Sequence, residues 1–381
     1  MNTRIAAAKA ALKLFRIETP SWAYGDSGTR FKVFHQPGAA RNLPEKLQDA
    51  ALVNKFTGVT PAVAVHALWD FVDLTPREVA TLAKRLGLCI GGVNPTLFEQ
   101  PEYKFGSLAS PERGSREKAI RHVADCVRAM RACKSKYLGL WLADGTNHPG
   151  QDDFRARKHR LTASLRRLYA DLDPGMKLLI EYKFFEPAVY ATDIADWGMA
   201  AAFCRACGPR AKVLVDLGHH APGVNIEQIV AFLIDENLLG GFHFNSRKYA
   251  DDDLTTGSLN PYELFLIFNE LVAAGRGGRV YDVPYMIDQS HNIEPKIEAM
   301  IHSVMNIQES LAKALLVDRP ALRKAQAACD VLGAERILRA AFNTDVTGLL
   351  SDVRKSLGVP ADPFDAWRRS GIQKKLEKAR G

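Results

Sequence analysis

The stretch KVLVDLGHHAPGVNIEQIVAFLIDENLLGGFHFNS, residues 212–246, decides the fold. It opens on a short aliphatic run, KVLVDLGHH (212–220), and passes through a turn containing Pro222 and Gly223. NIEQIVAFLIDENLL (225–239) then carries apolar residues at helical spacing, and a second apolar run, GGFHFNS (240–246), follows without a break. Strand, helix and strand in immediate succession form a βα unit, and a chain of such units builds a parallel sheet.

The alternation continues in both directions. Short β-rich runs occur at RIETPSWAY (16–24), PAVAVHALWDF (61–71), LCIGGVN (88–94), YLGLWLA (137–143), KLLIEYKFF (177–185) and VPYMIDQSH (283–291). Helical patterns follow at TPREVATLAKRLG (75–87), which opens on a Thr cap and ends at Gly, and at DIADWGMAAAFCRAC (193–207) and NPYELFLIFNELVAAG (260–275). Eight βα units predict a closed (β/α)8 TIM barrel, with an open doubly wound sheet as the alternative. The barrel is expected to span residues 1–318, with a short N-terminal helix at its start and closure after the helix in 294–318. Residues 319–381 are helix-prone and without strands, so they are expected to embrace the barrel or a neighbouring subunit. The basic, alanine-rich opening MNTRIAAAKAALKLF is read as a first helix in preference to a transit peptide, because it lacks an apolar core with a small-residue cleavage site.

Composition narrows the function classes. The 381 residues are 47% hydrophobic, which suits an enzyme-sized domain, and no apolar stretch approaches the ~20 residues that cross a bilayer. The net charge of +8 invites a nucleic-acid reading, yet the densest basic runs, RARKHRLTASLRR (155–167) and WRRSGIQKKLEKARG (367–381), have helical spacing and no interleaved aromatics. They read as solvated helix faces. The six cysteines form no secreted disulfide pattern, and Cys204 with Cys207 sits in a helical run without a second pair, so a reducing cytoplasm fits.

In such a barrel the chemistry gathers at the carboxyl ends of the strands. The last four strand ends supply Glu181 and Lys183, then Asp216 and His219, then His243 with Asp251 and Asp253, then Asp288. Period-two spacing puts Glu181 and Lys183 on one strand face, with Leu179 below them in an apolar interior layer. Taken singly, each piece has a plainer reading: a DxD pair suits a surface turn, a strand-end Asp a helix cap, and an inward His a core hydrogen bond. Together they put five carboxylates at one mouth. Like charges ~4 Å apart repel by about 4 kcal/mol at an effective dielectric of 20. One divalent cation leaves three negative charges over and two leave one, which Lys183 balances. Oxygen-rich ligation with two histidines suits Mn²⁺, Mg²⁺ or Co²⁺.

The ordered set IEYKFFEP, VDLGHH, HFNSRKYADDD and MIDQSHN, preceded by HALWD (66–70) and GLWLADGTN (139–147), resembles the L-rhamnose isomerase family in its bacterial broad-specificity branch, and more distantly xylose isomerase. The resemblance runs from about Pro20 to beyond residue 300. It implies an aldose–ketose isomerase, with L-rhamnose to L-rhamnulose as the expected conversion, by a metal-assisted 1,2-hydride shift. Glu181, Asp216, His243 and Asp288 would hold one metal, and His219, Asp251 and Asp253 a second, with Mn²⁺ preferred. Lys183 would donate to O1, a water beside Asp288 would manage hydroxyl protons, and His66 would meet the ring oxygen or O5. Trp22, Trp69, Phe98 and Trp141 would wall the sugar site, with Glu181 and Asn245 as polar contacts. Phe31 resembles a residue that enters a neighbouring subunit's site, which implies a homotetramer. Two rivals remain at this stage: a metal-dependent nuclease on the same barrel, and a sugar-binding protein without activity. A nicotinamide dehydrogenase lacks its strand–GxGxxG–helix unit here.

Overall fold

A computed structural model describes residues 2–28, 32–186, 190–249 and 251–381. Eight strands close into a parallel barrel in chain order: β1 (Glu18–Pro20), β2 (Ala62–His66), β3 (Cys89–Asn94), β4 (Tyr137–Leu140), β5 (Lys177–Glu181), β6 (Ala211–Asp216), β7 (Leu239–Phe244) and β8 (Tyr285–Ile287). Closure is explicit in Glu18, which registers with Ala62 of β2 and with Met286 of β8. The expected barrel is therefore observed, and the open sheet is not.

Helices sheathe the strands: α1 (Asn2–Leu14) precedes the barrel, and α2 (Leu43–Thr57), α3 (Pro76–Arg85), α4 (Arg113–Cys133), α5 (Phe154–Ala170), α6 (Trp197–Cys207), α7 (Ile226–Asp235), α8 (Pro261–Ala274) and α9 (Lys296–Leu315) follow β1 to β8 in turn. The start of α3 shows how local sequence sets a boundary. Thr75 and Glu78 form a reciprocal capping box, Pro76 begins the helix, and Gly87 leaves it at φ 74°.

Alternation along the strands sorts core from site. On β7, Phe242 and Phe244 face outward, where they stack with Tyr285 at 5.8 and 5.9 Å and Phe244 meets Phe268 of α8 at 5.5 Å. Each buried side chain of this size contributes about 2 kcal/mol relative to exposure. The residue between them, His243, must then face the barrel interior. Leu179 does form an apolar inner layer as expected, being 3% exposed, and Gly240 makes room for it: a Cβ there would lie 2.8 Å from a Leu179 methyl.

Except for β3, every strand stops before its apolar run does. The chain instead turns inward over the mouth. After β2, where a continuous strand to Phe71 is expected, Ala67–Asp70 forms one helical turn. Asp70 dictates this: its buried carboxylate accepts from the His66 backbone N–H at 2.8 Å, from Ser21 Oγ at 2.5 Å and from Lys46 Nζ at 2.8 Å. Lys183 likewise lies beyond β5 and not on it.

The tail forms α10 (Arg319–Ala327), α11 (Val331–Phe342), α12 (Thr347–Ser356), α13 (Pro363–Ser370) and α14 (Ile372–Arg380), and it folds back on its own barrel. Trp367, 1% exposed, packs edge-on to Phe56 of α2 at 5.5 Å, and Arg380 forms a buried two-bond pair with Asp49 at 2.7 and 2.9 Å. Most charged residues of the two basic runs are exposed, as expected of solvated helix faces, but two arginines are not. Arg380 and Arg157 are spent on internal carboxylates, because a planar guanidinium can satisfy two acceptors at once when buried. Among the described residues, no helix is long and apolar enough to cross a membrane.

Candidate active site at the barrel mouth

A cavity of about 260 Å³ opens among the strand ends, near the lower limit of ~300 Å³ typical of ligand pockets. One side is lined by Trp22, His66, Trp69, Phe98 and Trp141, the other by Glu181, Lys183, His219, His243, Asp251, Asp253 and Asp288. Twelve of the residues expected at the site from sequence line this cavity, and Asp216, also expected, flanks them, so that the ends of all eight strands contribute to one place.

The ionic side is built in two overlapping groups. Ligand atoms of Glu181, Asp216, His243 and Asp288 lie within 4.8 Å of one another, as do those of Asp216, His219 and Asp251. His243 Nδ1 sits 3.2 Å from Glu181 Oε1 and 3.3 Å from Asp288 Oδ2; Asp288 also accepts from Trp22 Nε1 at 2.9 Å. His219 spends Nδ1 on the Tyr182 carbonyl at 2.9 Å and points Nε2 at Asp251 Oδ1, 3.1 Å away. Lys183 Nζ donates to Asp251 Oδ2 at 2.5 Å while lying 5.2 Å over the Trp141 ring.

Asp251 and Asp253 reach the cavity by an unusual backbone. Both are left-handed, at φ 41° and 48°, a conformation that aspartate tolerates better than most residues. The Ser246–Leu254 bridge closes their loop, and Asp252, directed away, accepts from the backbone N–H groups of Lys248 and Tyr249. Asp253 stands beside the second group and not within it, and accepts from Asn245 Nδ2 at 3.5 Å.

This electrostatic assembly draws in positive charge. Burial alone would lower both histidines, but the surrounding carboxylates outweigh it: Asp216 and Asp251 push His219 up to about 10, and Glu181, Asp216 and Asp288 hold His243 well above its ordinary value. Burial, with Asp251, Asp288 and Asp216 nearby, raises Asp253 far above the carboxylate range. A donor set that must otherwise recruit protons fits divalent cations, and its oxygen-rich composition favours hard ones.

The opposite side is neutral. Burial takes His66 down to about 3, and its Nδ1 lies 2.9 Å from Thr96 Oγ1. Its ring stacks on Trp69 at 4.1 Å and meets Trp22 edge-on at 5.1 Å; Phe98 and Trp141 continue the wall at 5.0 Å. Trp69 is fixed by its Nε1 bond to Glu99 at 2.9 Å.

Two site expectations, Asn245 and Phe31, end differently. Asn245 is outside the cavity lining: its amide donates to Asp216 Oδ1 at 3.0 Å, so it orients a carboxylate from behind. His220 also lies behind, bonded to the Tyr182 hydroxyl at 2.6 Å. Phe31 falls outside the described residues. Conversely, Asn94 lines the cavity without having been singled out from sequence. As the last residue of β3 it satisfies the rule that found Glu181 and Asp216, and Gly139 on β4 makes its space: a Cβ there would lie 2.2 Å from Asn94 Oδ1.

Comparison with known proteins agrees with this fold. Residues 49–293 match the family model described as xylose isomerase-like TIM barrel. The chain belongs to the xylose isomerase-like TIM barrel family. Within that family it is similar to a probable sugar isomerase of Mesorhizobium japonicum, 41% identical over 99% of this chain and 88% of the relative. A probable sugar isomerase of Rhizobium meliloti is 42% identical over 99% of this chain and 89% of its own length. Among solved structures, an L-ribulose 3-epimerase superposes with a TM-score of 0.57 at 15% identity, covering 83% of this chain and 98% of its own. A D-psicose 3-epimerase gives 0.51 at 16% identity over 80% and 98%. These two likenesses speak for the fold alone.

Proposed function

We propose that this protein is a metal-dependent sugar isomerase that interconverts an aldose and a ketose, with L-rhamnose and L-rhamnulose as its substrate pair. The observation that carries the reading is the pair of ligand groups sharing Asp216, set beside a buried lysine and across from an aromatic wall. The names of the two relatives, matched over nearly the whole chain, support it.

Glu181, Asp216, His243 and Asp288 would hold one divalent cation; Asp216, His219 and Asp251, with Asp253 adjoining, would hold the second, with Mn²⁺ preferred over Co²⁺ and Mg²⁺. Such ions supply Lewis acidity toward a carbonyl and its neighbouring hydroxyl. The side chains do the rest. Lys183 places its ammonium where charge develops at O1 as hydrogen moves between C1 and C2. Asp288, held by Trp22, governs the hydroxyl protons through a water. His66, neutral and tied at Nδ1 to Thr96, presents Nε2 to the ring oxygen or O5. The wall of Trp22, Trp69, Phe98 and Trp141 excludes water and accepts the apolar end of a 6-deoxy sugar. We further propose a cytoplasmic homotetramer in which Phe31 completes a neighbour's site and residues 319–381 contribute to subunit association.

The test is a panel of aldoses incubated with Mn²⁺-supplemented protein and followed by NMR. Appearance of the matching ketose, abolished by EDTA and restored by Mn²⁺ or Co²⁺, is the expected result. Inactivity on every aldose would leave a binding protein, and metal-dependent cleavage of nucleic acid would leave a nuclease.

A further inference from the structure

Lys183 carries the charge closest to the proposed reaction, yet it lies two residues past the end of β5 and has no barrel ladder to hold it. Its backbone is held by the returning arm of its own loop. The Lys183 N–H donates to the Ile194 carbonyl at 3.0 Å, and Thr192 Oγ1 donates to the Lys183 carbonyl. Thr192 is 7% exposed. Both polar main-chain groups of the lysine are thus fixed by the segment Thr192–Ile194.

That segment is itself clamped at Asp193. Its backbone N–H donates to the Asp144 carbonyl at 2.8 Å, and Thr192 bridges to Gly145. Its carboxylate receives a two-point contact from Arg157 of α5, Nη2 to Oδ2 at 2.7 Å and Nε to Oδ1 at 2.9 Å. The remaining Arg157 nitrogen donates to Asp152 Oδ2 at 3.0 Å and to the Phe105 carbonyl at 3.2 Å. Asp144 completes the frame by accepting from the Ser107 and Ala109 backbone N–H groups at 2.7 and 2.9 Å. The loop after β4 therefore contributes twice: Trp141 lies under the Lys183 ammonium, and Asp144 anchors the arm that grips its backbone.

Arg157 is 3% exposed, and a charge so buried is costly to desolvate. A lone surface helix would not require it. Its placement has a use if the loop after β5 must be held to a fraction of an ångström, since a 1 Å misplacement can cost on the order of a hundredfold in rate. Asp193 and Arg157 touch neither the cavity nor its ligand groups.

We infer that Thr192, Asp193 and Arg157 form a positioning device for Lys183, with the Thr192 hydroxyl as its last link. The inference rests on the isomerase reading above, in which Lys183 faces O1. Its test uses the full-length protein with the aldose that the wild type turns over best. Thr192→Val removes the hydroxyl at nearly constant shape and Thr192→Ser restores it. The expected result is a roughly tenfold fall in kcat for Thr192→Val, with KM and bound metal within twofold of wild type, and near-complete recovery in Thr192→Ser. Hydrogen exchange on the unsubstituted and Thr192→Val proteins, both without substrate, gives a second readout: faster exchange of the Lys183 amide in the variant. Unchanged kcat in Thr192→Val overturns the inference, as does an equal loss in both variants, which would make packing and not the hydroxyl responsible. Arg157→Gln should lower kcat at least as far; wild-type turnover by a folded Arg157→Gln protein also overturns it. A wild-type protein inactive on all aldoses would instead overturn the isomerase reading.

Discussion

The ends of β1 to β4 bring Trp22, His66, Trp69, Phe98 and Trp141 to the cavity, whereas the ends of β5 to β8 bring Glu181, Lys183, His219, His243 and four aspartates to the site. The two halves of one mouth follow the same strand geometry and opposite chemistry. On the aromatic half a side chain is held by ring contacts and one hydrogen bond, as Trp69 is by His66 and Glu99. On the ionic half every group leans on its neighbours, so that Asp216 belongs to both ligand groups and His243 faces three carboxylates. The difference predicts graded losses on one side and near-total losses on the other.

Asp216→Asn should be the most damaging change, since it removes a donor from both groups; kcat/KM is expected to fall by about 10³-fold or more together with bound metal, which elemental analysis would follow. Lys183→Met should lower kcat by about 10²-fold while metal content stays at the wild-type level; loss of the metal would make the lysine structural. Across the mouth, Trp69→Ala should chiefly raise KM, by roughly fivefold, through lost wall contacts worth about 1 kcal/mol.

Much of this division can be read without coordinates, because a barrel exposes its strand ends and period-two alternation decides which residues face inward. Phe242 and Phe244 flank His243 in sequence as they do in space, and that pattern alone directs the histidine to the interior. What sequence does not convey are contacts made across long separations. The two-point Arg157–Asp193 pair spans 36 positions and Arg380–Asp49 spans 331, so both arginines look like members of solvated basic faces. Asn245, which the family resemblance implies as a polar contact of the sugar, has its amide turned to Asp216, a link between strand ends that the sequence does not convey either. Asn94 is missed because amides carry no charge to attract notice, although Gly139 opposite it marks a close approach.

Smaller effects sharpen the comparison. Gly139→Ala would force Asn94 aside and is expected to cost about 1–3 kcal/mol in stability, measured by denaturant unfolding, with a rise in KM. The neutral half should also show in pH dependence. His66 is held down to about 3 in the folded protein, so the unfolded chain binds more protons between there and its ordinary value near 6.5. Its contribution to stability is thus complete above about 6.5 and lost as pH falls toward 3. His66→Phe should flatten this acid-side decline by on the order of 1 kcal/mol at pH 5, seen as a smaller drop in Tm than the wild type shows.

The ionic half is the centre of the account, and an anomalous-difference map from crystals soaked in Mn²⁺ addresses it most directly. Two peaks are expected, one among Glu181, Asp216, His243 and Asp288 and one beside Asp216, His219 and Asp251. A mouth without manganese, or manganese bound only elsewhere on the barrel, would contradict it.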